Sequence, residues 1–489
     1  MSPNPLPSGK AKCAWREIDR VEPPKRPAAE RVSDFDETAG DYDEATASAQ
    51  ARRCIQCPNP TCVEACPLNC PIPELLELTA DGLFKEAAQL FFATHSIPEL
   101  ASHTCVGGRV CERDCILAGQ SEAVPIRAIT RFLLNYGWKH GLAEPPLAPP
   151  RGRSVAVIGS GICGLVTADA LSRRGYAITV FDCRQKPGGR MMNGLPGFRV
   201  DKEMISRRVE LLQQRGIHFR MGVTFGQDVK LSDLRREFDA VFLGFVRVDS
   251  VPLNVPGAEL SGVCPVVPFI TQNPPGRVSQ CEARPPAAAK DAGPPNVAGK
   301  RVVVLGGGDT AMDVLRVAIR RGAADALCLY RRDERSLPAD VEEYENAREE
   351  GARFMFLSQP VAVLGNAAGE VTHVRCVRME LAEPAADGRP TVQPLAGTEF
   401  DVPADLVFAA YGFSAPQVPN SDDFARLERD GRGLLRVDAN QMTNLPGVFA
   451  GGSIVHGPVP LVEVVQDSQK ATAAMDRYLA ALAPTTVTP

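Results

Sequence analysis

The chain has 489 residues, 44% hydrophobic and 23% charged, the composition of an ordinary globular protein with material for about three domains. Its 54 basic and 59 acidic residues leave a net charge of −5, so no basic footprint for nucleic acid exists. No run approaches the roughly 18 apolar residues of a membrane span, and Met1–Arg20 lacks the apolar core of a secretory signal. The expectation is a cytoplasmic protein with no membrane or nucleic-acid partner.

Residues 1–48 are polar and proline-rich, then acidic from Asp34 to Glu44. They read as an extended arm lying on other domains, with an unstructured tail as the alternative. Residues 49–140 hold eight of the 15 cysteines. In a chain without a secretory signal such density points to metal binding rather than disulfides. The first run is Cys54-x2-Cys57-x4-Cys62-x3-Cys66-Pro67, with Cys70 close behind. The second is Cys105-x5-Cys111-x3-Cys115. Two four-iron clusters need eight ligands, usually thiolates, and a terminal Cys-Pro is similar to bacterial ferredoxin runs. Paired structural zinc sites are the alternative. Between the runs, Leu75, Leu76, Leu78 and Leu83, Ala87, Leu90, Phe91 have helical spacing, and Asp81-Gly82 separates two helices.

Gly141–Arg153, with Pro145, Pro146, Pro149 and Pro150, reads as a semi-rigid linker. Ser154–Ile158 reads as a buried strand, Cys163–Arg174 as a helix and Ala177–Phe181 as a second strand. The loop between them is Gly159-Ser160-Gly161-Ile-Cys-Gly164. Its glycines permit a tight turn, close approach of a pyrophosphate and helix–strand packing, and Asp182 is placed to accept from ribose hydroxyls. Cys163 has no partner at CxxC spacing and reads as packing. Residues 272–299, rich in Pro, Ala and Gly, read as a surface excursion.

A second unit of the same logic follows: strand Arg301–Leu305, loop Gly306-Gly-Gly308-Asp309-Thr310-Ala311, a helix to Arg321 and strand Ala326–Tyr330. Here the second strand ends not in an acid but in Arg331 and Arg332. Paired guanidinium groups suit a ribose 2′-phosphate, so NADP(H) over NAD(H); a solvated surface pair is the alternative. Ala404–Gly412 and Gly447–Gly452 read as two further strands ending in glycine, and Val459–Leu482 as a long terminal helix. Two dinucleotide sites in one chain imply a flavin and a nicotinamide. A flavin accepts hydride and can release electrons singly, which iron–sulfur clusters require. No constellation for hydrolytic or nucleophilic catalysis is present, so no catalytic side chain is assigned.

At these residues the sequence resembles the small (β) subunit of bacterial glutamate synthase and its relatives, including the NADPH-side half of dihydropyrimidine dehydrogenase and NAD(P)H:ferredoxin-type oxidoreductases. The resemblance rests on Ile18–Pro27, Arg53-Cys-Ile-Gln-Cys57, Cys66-Pro-Leu and Gly108–Cys115. It continues in Gly194-Leu-Pro-Gly-Phe198, Phe238–Gly244, Val302–Asp313 and Tyr330–Glu334. It implies an α/β, glutathione-reductase-like flavoprotein: two Rossmann-like domains preceded by an α-helical iron–sulfur domain. The expected division is arm 1–48, cluster domain 49–140, FAD domain 151–294 and 414–489, and NAD(P)H domain 295–413. The implied cofactors are FAD, NADPH and two [4Fe-4S] clusters. Gly189, Arg190, Gly452 and Ser453 join the cofactor-binding set.

The resemblance also implies a ligand arrangement. One cluster would use Cys54, Cys57, Cys62 and Cys115. The other would use Cys66, Cys105, Cys111 and a Gln or Glu at the position of Thr130. Threonine is a poor iron ligand, and Cys70, extra to the pattern, is offered as its replacement; a buried free thiol is the alternative. Other departures gather on the flavin side. The family's Ala-Gly-Gly-Asp is Ala450-Gly-Gly-Ser453 here, its terminal-helix Gly-Arg is Ser468-Gln469, and its small stretch after Leu243 is Gly244-Phe-Val-Arg-Val248. The implied activity is electron transfer from NADPH through FAD to the clusters, then to a larger catalytic subunit. The terminal helix would aim its N-terminus at the flavin. A ferredoxin or pyrimidine-dehydrogenase-type acceptor is the second expectation. A non-catalytic relay subunit with a decayed flavin site is the third.

Overall fold

The computed structural model describes residues 14–105, 108, 110–142, 147–245, 250–270, 295–384, 390–413, 422–459 and 461–482. The start of the arm, Pro145 and Pro146, Val246–Val248 and most of the 272–299 excursion lie outside the described residues.

Ahead of Glu44 the described arm carries a 3-10 turn (Ala14–Arg16) and a short helix, α1 (Ala28–Arg31), and otherwise runs over its neighbours. Arg31, 1% exposed, donates to Asn346 Oδ1 at 3.0 Å and pairs with Glu349 and Glu350. Phe35 stacks on Phe198 at 6.2 Å. Thr38 Oγ1 accepts from Arg316, and Glu37 and Asp41 pair with Arg131. These are long-range contacts to three other parts of the chain, which is how a segment too polar to form a core becomes ordered.

The cysteine-bearing segment is helical: α2 (Glu44–Ala51), α3 (Thr61–Glu64), α4 (Ile72–Ala80), α5 (Phe84–Thr94), α6 (Pro98–His103) and α7 (Ile126–Lys139). Asp43 caps α2 by accepting from Thr46 N. The apolar faces of α4, α5 and α7 bury Leu75, Leu76, Phe91, Ile129 and Leu133 in a core continuous with that of the following α/β unit. One buried ion pair ties the two: Glu99 on α6, 0% exposed, takes Arg208 through both Nε and Nη2, and Trp138 Nε1 donates to the same carboxylate at 3.1 Å. Removing either partner alone would strand a buried charge, at a cost of about 3–5 kcal/mol.

His95, beside that interface, is 2% exposed and neither ring nitrogen has a hydrogen-bond partner among the described residues. Burial, reinforced by the charge of Arg173, lowers its pKa from 6.5 to about 4. The unfolded chain therefore takes up this proton first, and stability drains as pH falls from 6.5 through 4. The full effect is on the order of 3 kcal/mol. Comparing the unfolding midpoints of wild type and His95→Leu at each pH should show a shallower acid slope in the variant. Parallel slopes would remove His95 from the account.

Two parallel five-stranded sheets follow. The first contains β1 (Ser154–Ile158), β2 (Ala177–Asp182), β3 (His218–Met221) and β4 (Ala240–Leu243). The intervening helices are α8 (Ile162–Ser172), α9 (Gly189–Asn193), α10 (Lys202–Gln214) and α11 (Leu231–Glu237). The chain then leaves for the second sheet through β5 (Val263–Cys264) and α12 (Val266–Ile270). That sheet continues with β6 (Arg301–Leu305), α13 (Asp309–Arg320), β7 (Asp325–Leu329), α14 (Val341–Glu349) and β8 (Arg353–Met355). An antiparallel group, β9 (Ser358–Gly365), β10 (Val371–Pro384), β11 (Pro390–Pro394) and β12 (Phe400–Pro403), precedes β13 (Leu406–Ala409). The chain returns to the first sheet with β14 (Val448–Ala450), then α15 (Ser453–His456) and α16 (Leu461–Ala481).

The strand orders are β14-β4-β1-β2-β3 and β5-β13-β6-β7-β8. β1 and β6 each sit where the order reverses, the crevice in which open α/β sheets bind ligands. Because β5 pairs with β13, the second unit has begun by Val263. Val263 and Cys264 lie ahead of the expected boundary at 294/295.

Candidate dinucleotide and iron–sulfur sites

The two glycine loops repeat one geometry. Gly159 and Gly306, directly after β1 and β6, have φ of +96° and +127°, which side chains rarely adopt. A Cβ at Gly159 would lie 2.9 Å from Gly244 O, and one at Gly306 2.4 Å from Ala410 O. Gly161 and Gly308 are the extended N-caps of α8 and α13, and neither helix has a side-chain cap. A Cβ on either glycine would meet nothing within 4 Å. Each helix thus presents uncapped N–H groups and positive potential to open space, which is what a pyrophosphate needs. The loops differ at their third position. A Cβ on Gly164 would lie 1.8 Å from Gly159 O, whereas the second loop carries a buried Ala311.

Asp182 does something the sequence did not indicate. Its Oδ2 accepts from Ser160 N and Ser160 Oγ, both at 2.7 Å, and its Oδ1 accepts from Arg184 N at 2.9 Å. The carboxylate clasps the first loop, leaving about one acceptor site of four free for another donor. Cys183, the next residue, is disulfide-bonded. Gly188 N donates to Ser160 O, and Gly189 lies against Gly161, where a Cβ would come within 2.5 Å of Gly161 Cα. Arg190 extends from there. Burial, with Arg184 nearby, lowers its pKa to about 10, yet its side chain stays solvent-accessible, as expected of a cation on the wall of a cleft. Its guanidinium lies 4.1 Å over the ring of Phe413, which follows β13. This contact joins the two sites.

On the far side, Gly452 (φ +72°) seats against α8, where a Cβ would lie 3.0 Å from Cys163 Sγ. Gly452 N donates to buried Asp467 of α16, which also accepts from Gln441 at 2.6 Å and faces His456 Nε2 at 3.0 Å. Ser453 begins α15 and is half-buried. Ser468 Oγ donates to Val464 O at 2.7 Å and lies 3.0 Å from Cys163 Sγ. The hydroxyl is satisfied where the helices meet, and Cys163 is a packing residue with a free thiol.

The second loop faces a cavity of about 660 Å³ lined by Gly306–Gly308, Thr310, Arg331, Arg332, Tyr411 and Val251–Val255. Asp309 Oδ1 accepts from Asp340 N at 2.7 Å, fixing the loop after β7. Arg331 is exposed at the cavity edge. Arg332 is half-buried, its Nε held by Pro390 O at 2.8 Å, so its terminal nitrogens stay available.

The eight clustered cysteines are all free thiols. Gln56 (φ +52°) and Asn69 (φ +49°) turn the chain between them, and Gln56 Nε2 anchors its turn on Pro73 O. Cys54, Cys57, Cys62 and Cys115 lie within electrostatic range of one another. Cys70 lies in range of Cys66, Cys105 and Cys62, and Cys111 in range of the same three. Among the described residues no group of three is drawn into ligating geometry. Burial pushes Cys54 up to about 11, Cys62 to about 12 and Cys105 to about 11, and Cys70 and Cys111 well up. Thiols this reluctant to ionise need a cationic centre to become ligands, and clustered thiols are the donor chemistry of iron–sulfur clusters. Thr130 is buried and its hydroxyl donates to Arg127 O at 2.9 Å.

Comparison with known proteins places the chain. Residues 31–142 match the dihydropyrimidine dehydrogenase domain II, 4Fe-4S cluster family, and residues 153–476 match the pyridine nucleotide-disulphide oxidoreductase family. The class is thus a pyridine nucleotide-disulphide oxidoreductase joined to an iron–sulfur module. The fold resembles that of FprA from Mycobacterium tuberculosis in complex with NADPH, with a TM-score of 0.55 and 18% identity over 68% of this chain and 85% of that one. The glutamate synthase [NADPH] small chain of Azospirillum brasilense is 38% identical over 94% of this chain and 95% of its own. That of Escherichia coli K12 is 37% identical over 95% and 98%. The chain belongs to the glutamate synthase small-chain family, and it is an oxidoreductase.

Proposed function

We propose that this chain takes hydride from NADPH and delivers the two electrons singly to a larger catalytic subunit. The observation that carries this reading is the pair of uncapped glycine-loop helices, joined at the Arg190–Phe413 contact, in one chain with eight clustered thiols. Bound FAD and two [4Fe-4S] clusters would supply the exchange between hydride and single electrons. Gly159, Ser160, Gly161 and Gly164 would hold the FAD pyrophosphate at the start of α8, with Gly189, Arg190, Gly452 and Ser453 around it. The free acceptor site of Asp182 would take a ribose hydroxyl. Gly306, Gly308, Asp309 and Thr310 form the corresponding cradle for NADPH, and Arg331 and Arg332 take its 2′-phosphate.

Cys54, Cys57, Cys62 and Cys115 would ligate one cluster, and Cys66, Cys70, Cys105 and Cys111 the other. The partner is a large subunit of the kind that the relatives' names imply, and no described helix is long and apolar enough to cross a membrane. Twelve free cysteines against the one disulfide-bonded Cys183 among the described residues suit a reducing cytoplasm. Protein purified without oxygen should contain one FAD and about eight iron and eight sulfide per chain. Full iron with no flavin would overturn this reading in favour of the non-catalytic relay.

A further inference from the structure

The second sheet fixes which way a dinucleotide lies in the cavity. β7 and β13 flank β6 on opposite sides. Arg331 and Arg332 follow β7, and Gly306–Gly308 follow β6. A dinucleotide with its pyrophosphate on the β6 loop and its 2′-phosphate at the arginines must extend its other nucleoside over the end of β13. What stands there is Tyr411. It is 43% exposed, one of few large apolar side chains so exposed among the described residues, and it lines the cavity rather than the outer surface. No hydrogen bond from its hydroxyl is present among the described residues. Two residues on, Phe413 touches Arg190 of the flavin unit.

We infer that Tyr411 is the wall against which the nicotinamide nucleoside half of NADPH is held, its ring offering a stacking face and its free phenol a hydrogen-bond donor. This rests on the reading of the cavity as an NADPH site. An aromatic face in such a position contributes a factor of roughly three to ten in affinity.

The test is calorimetric titration of the full-length protein with two ligands. NADP⁺ carries both nucleosides, and adenosine 2′,5′-bisphosphate carries only the arginine-side half. Tyr411→Ala should weaken NADP⁺ roughly three- to tenfold and leave the bisphosphate unchanged, which also shows the variant is folded. Tyr411→Phe should retain most of the NADP⁺ affinity. Equal weakening of both ligands, or of neither, overturns the role of Tyr411. If wild type binds neither ligand, the reading of the cavity itself fails, and Tyr411 with it.

Discussion

Replacing Cys70 with alanine is expected to lower iron and acid-labile sulfide from about eight to about four atoms of each per chain, with flavin unchanged. Cys70 is 5% exposed, in a turn set by Asn69 at φ +49°, and its thiol lies in range of Cys66 and Cys105. Thr130→Ala, by contrast, should leave iron content at the wild-type level, because the Thr130 hydroxyl is spent on the carbonyl of Arg127. Iron analysis of the two variants separates the alternatives. Full iron in Cys70→Ala together with loss in Thr130→Ala would return the fourth ligand to position 130. The proposed exchange keeps the ligand count at eight while moving one ligand from α7 to the turn before α4.

The double variant Arg331→Ala/Arg332→Ala should lower kcat/KM for NADPH on the order of a hundredfold while changing that for NADH less than about threefold. Charge-assisted hydrogen bonds to phosphate contribute about 1.5–3 kcal/mol each, and 1.4 kcal/mol is a factor of ten. The arginines are not equivalent. Pro390 O at the foot of β11 fixes Arg332 Nε and so pre-sets its fork, whereas Arg331 is exposed at the rim, in electrostatic range of Tyr411. Arg332→Ala alone should therefore cost more than Arg331→Ala alone. Steady-state kinetics with both nucleotides reads this out. An equal loss with NADPH and NADH would mean the arginines support the cavity rather than the 2′-phosphate.

Both glycine loops were legible because each joins a short apolar strand to a helix, and the structure places those strands at Ser154–Ile158 and Arg301–Leu305 as read. The helices broken at Asp81-Gly82 were legible for the same reason: apolar spacing flanked by a breaker. The antiparallel strands β9–β12 were not. Their alternation is diluted by Pro, Arg and Glu on an exposed face, and β11 pairs only with the outer half of β10. Nor could sequence show the Glu99–Arg208 pair, whose partners are 109 residues apart, or the clasp by Asp182, which looks from the sequence like a ribose acceptor. Cys70 was visible as an extra cysteine. Its neighbours Cys66 and Cys105 required the fold.

The account turns on whether this chain accepts hydride from NADPH. Anaerobic rapid mixing of the purified protein with one equivalent of NADPH, followed by absorbance, tests that most directly. The account predicts bleaching of the flavin band, then slower loss of iron–sulfur absorbance as electrons move on, with both effects much weaker for NADH. Flavin present but unbleached by NADPH would contradict it.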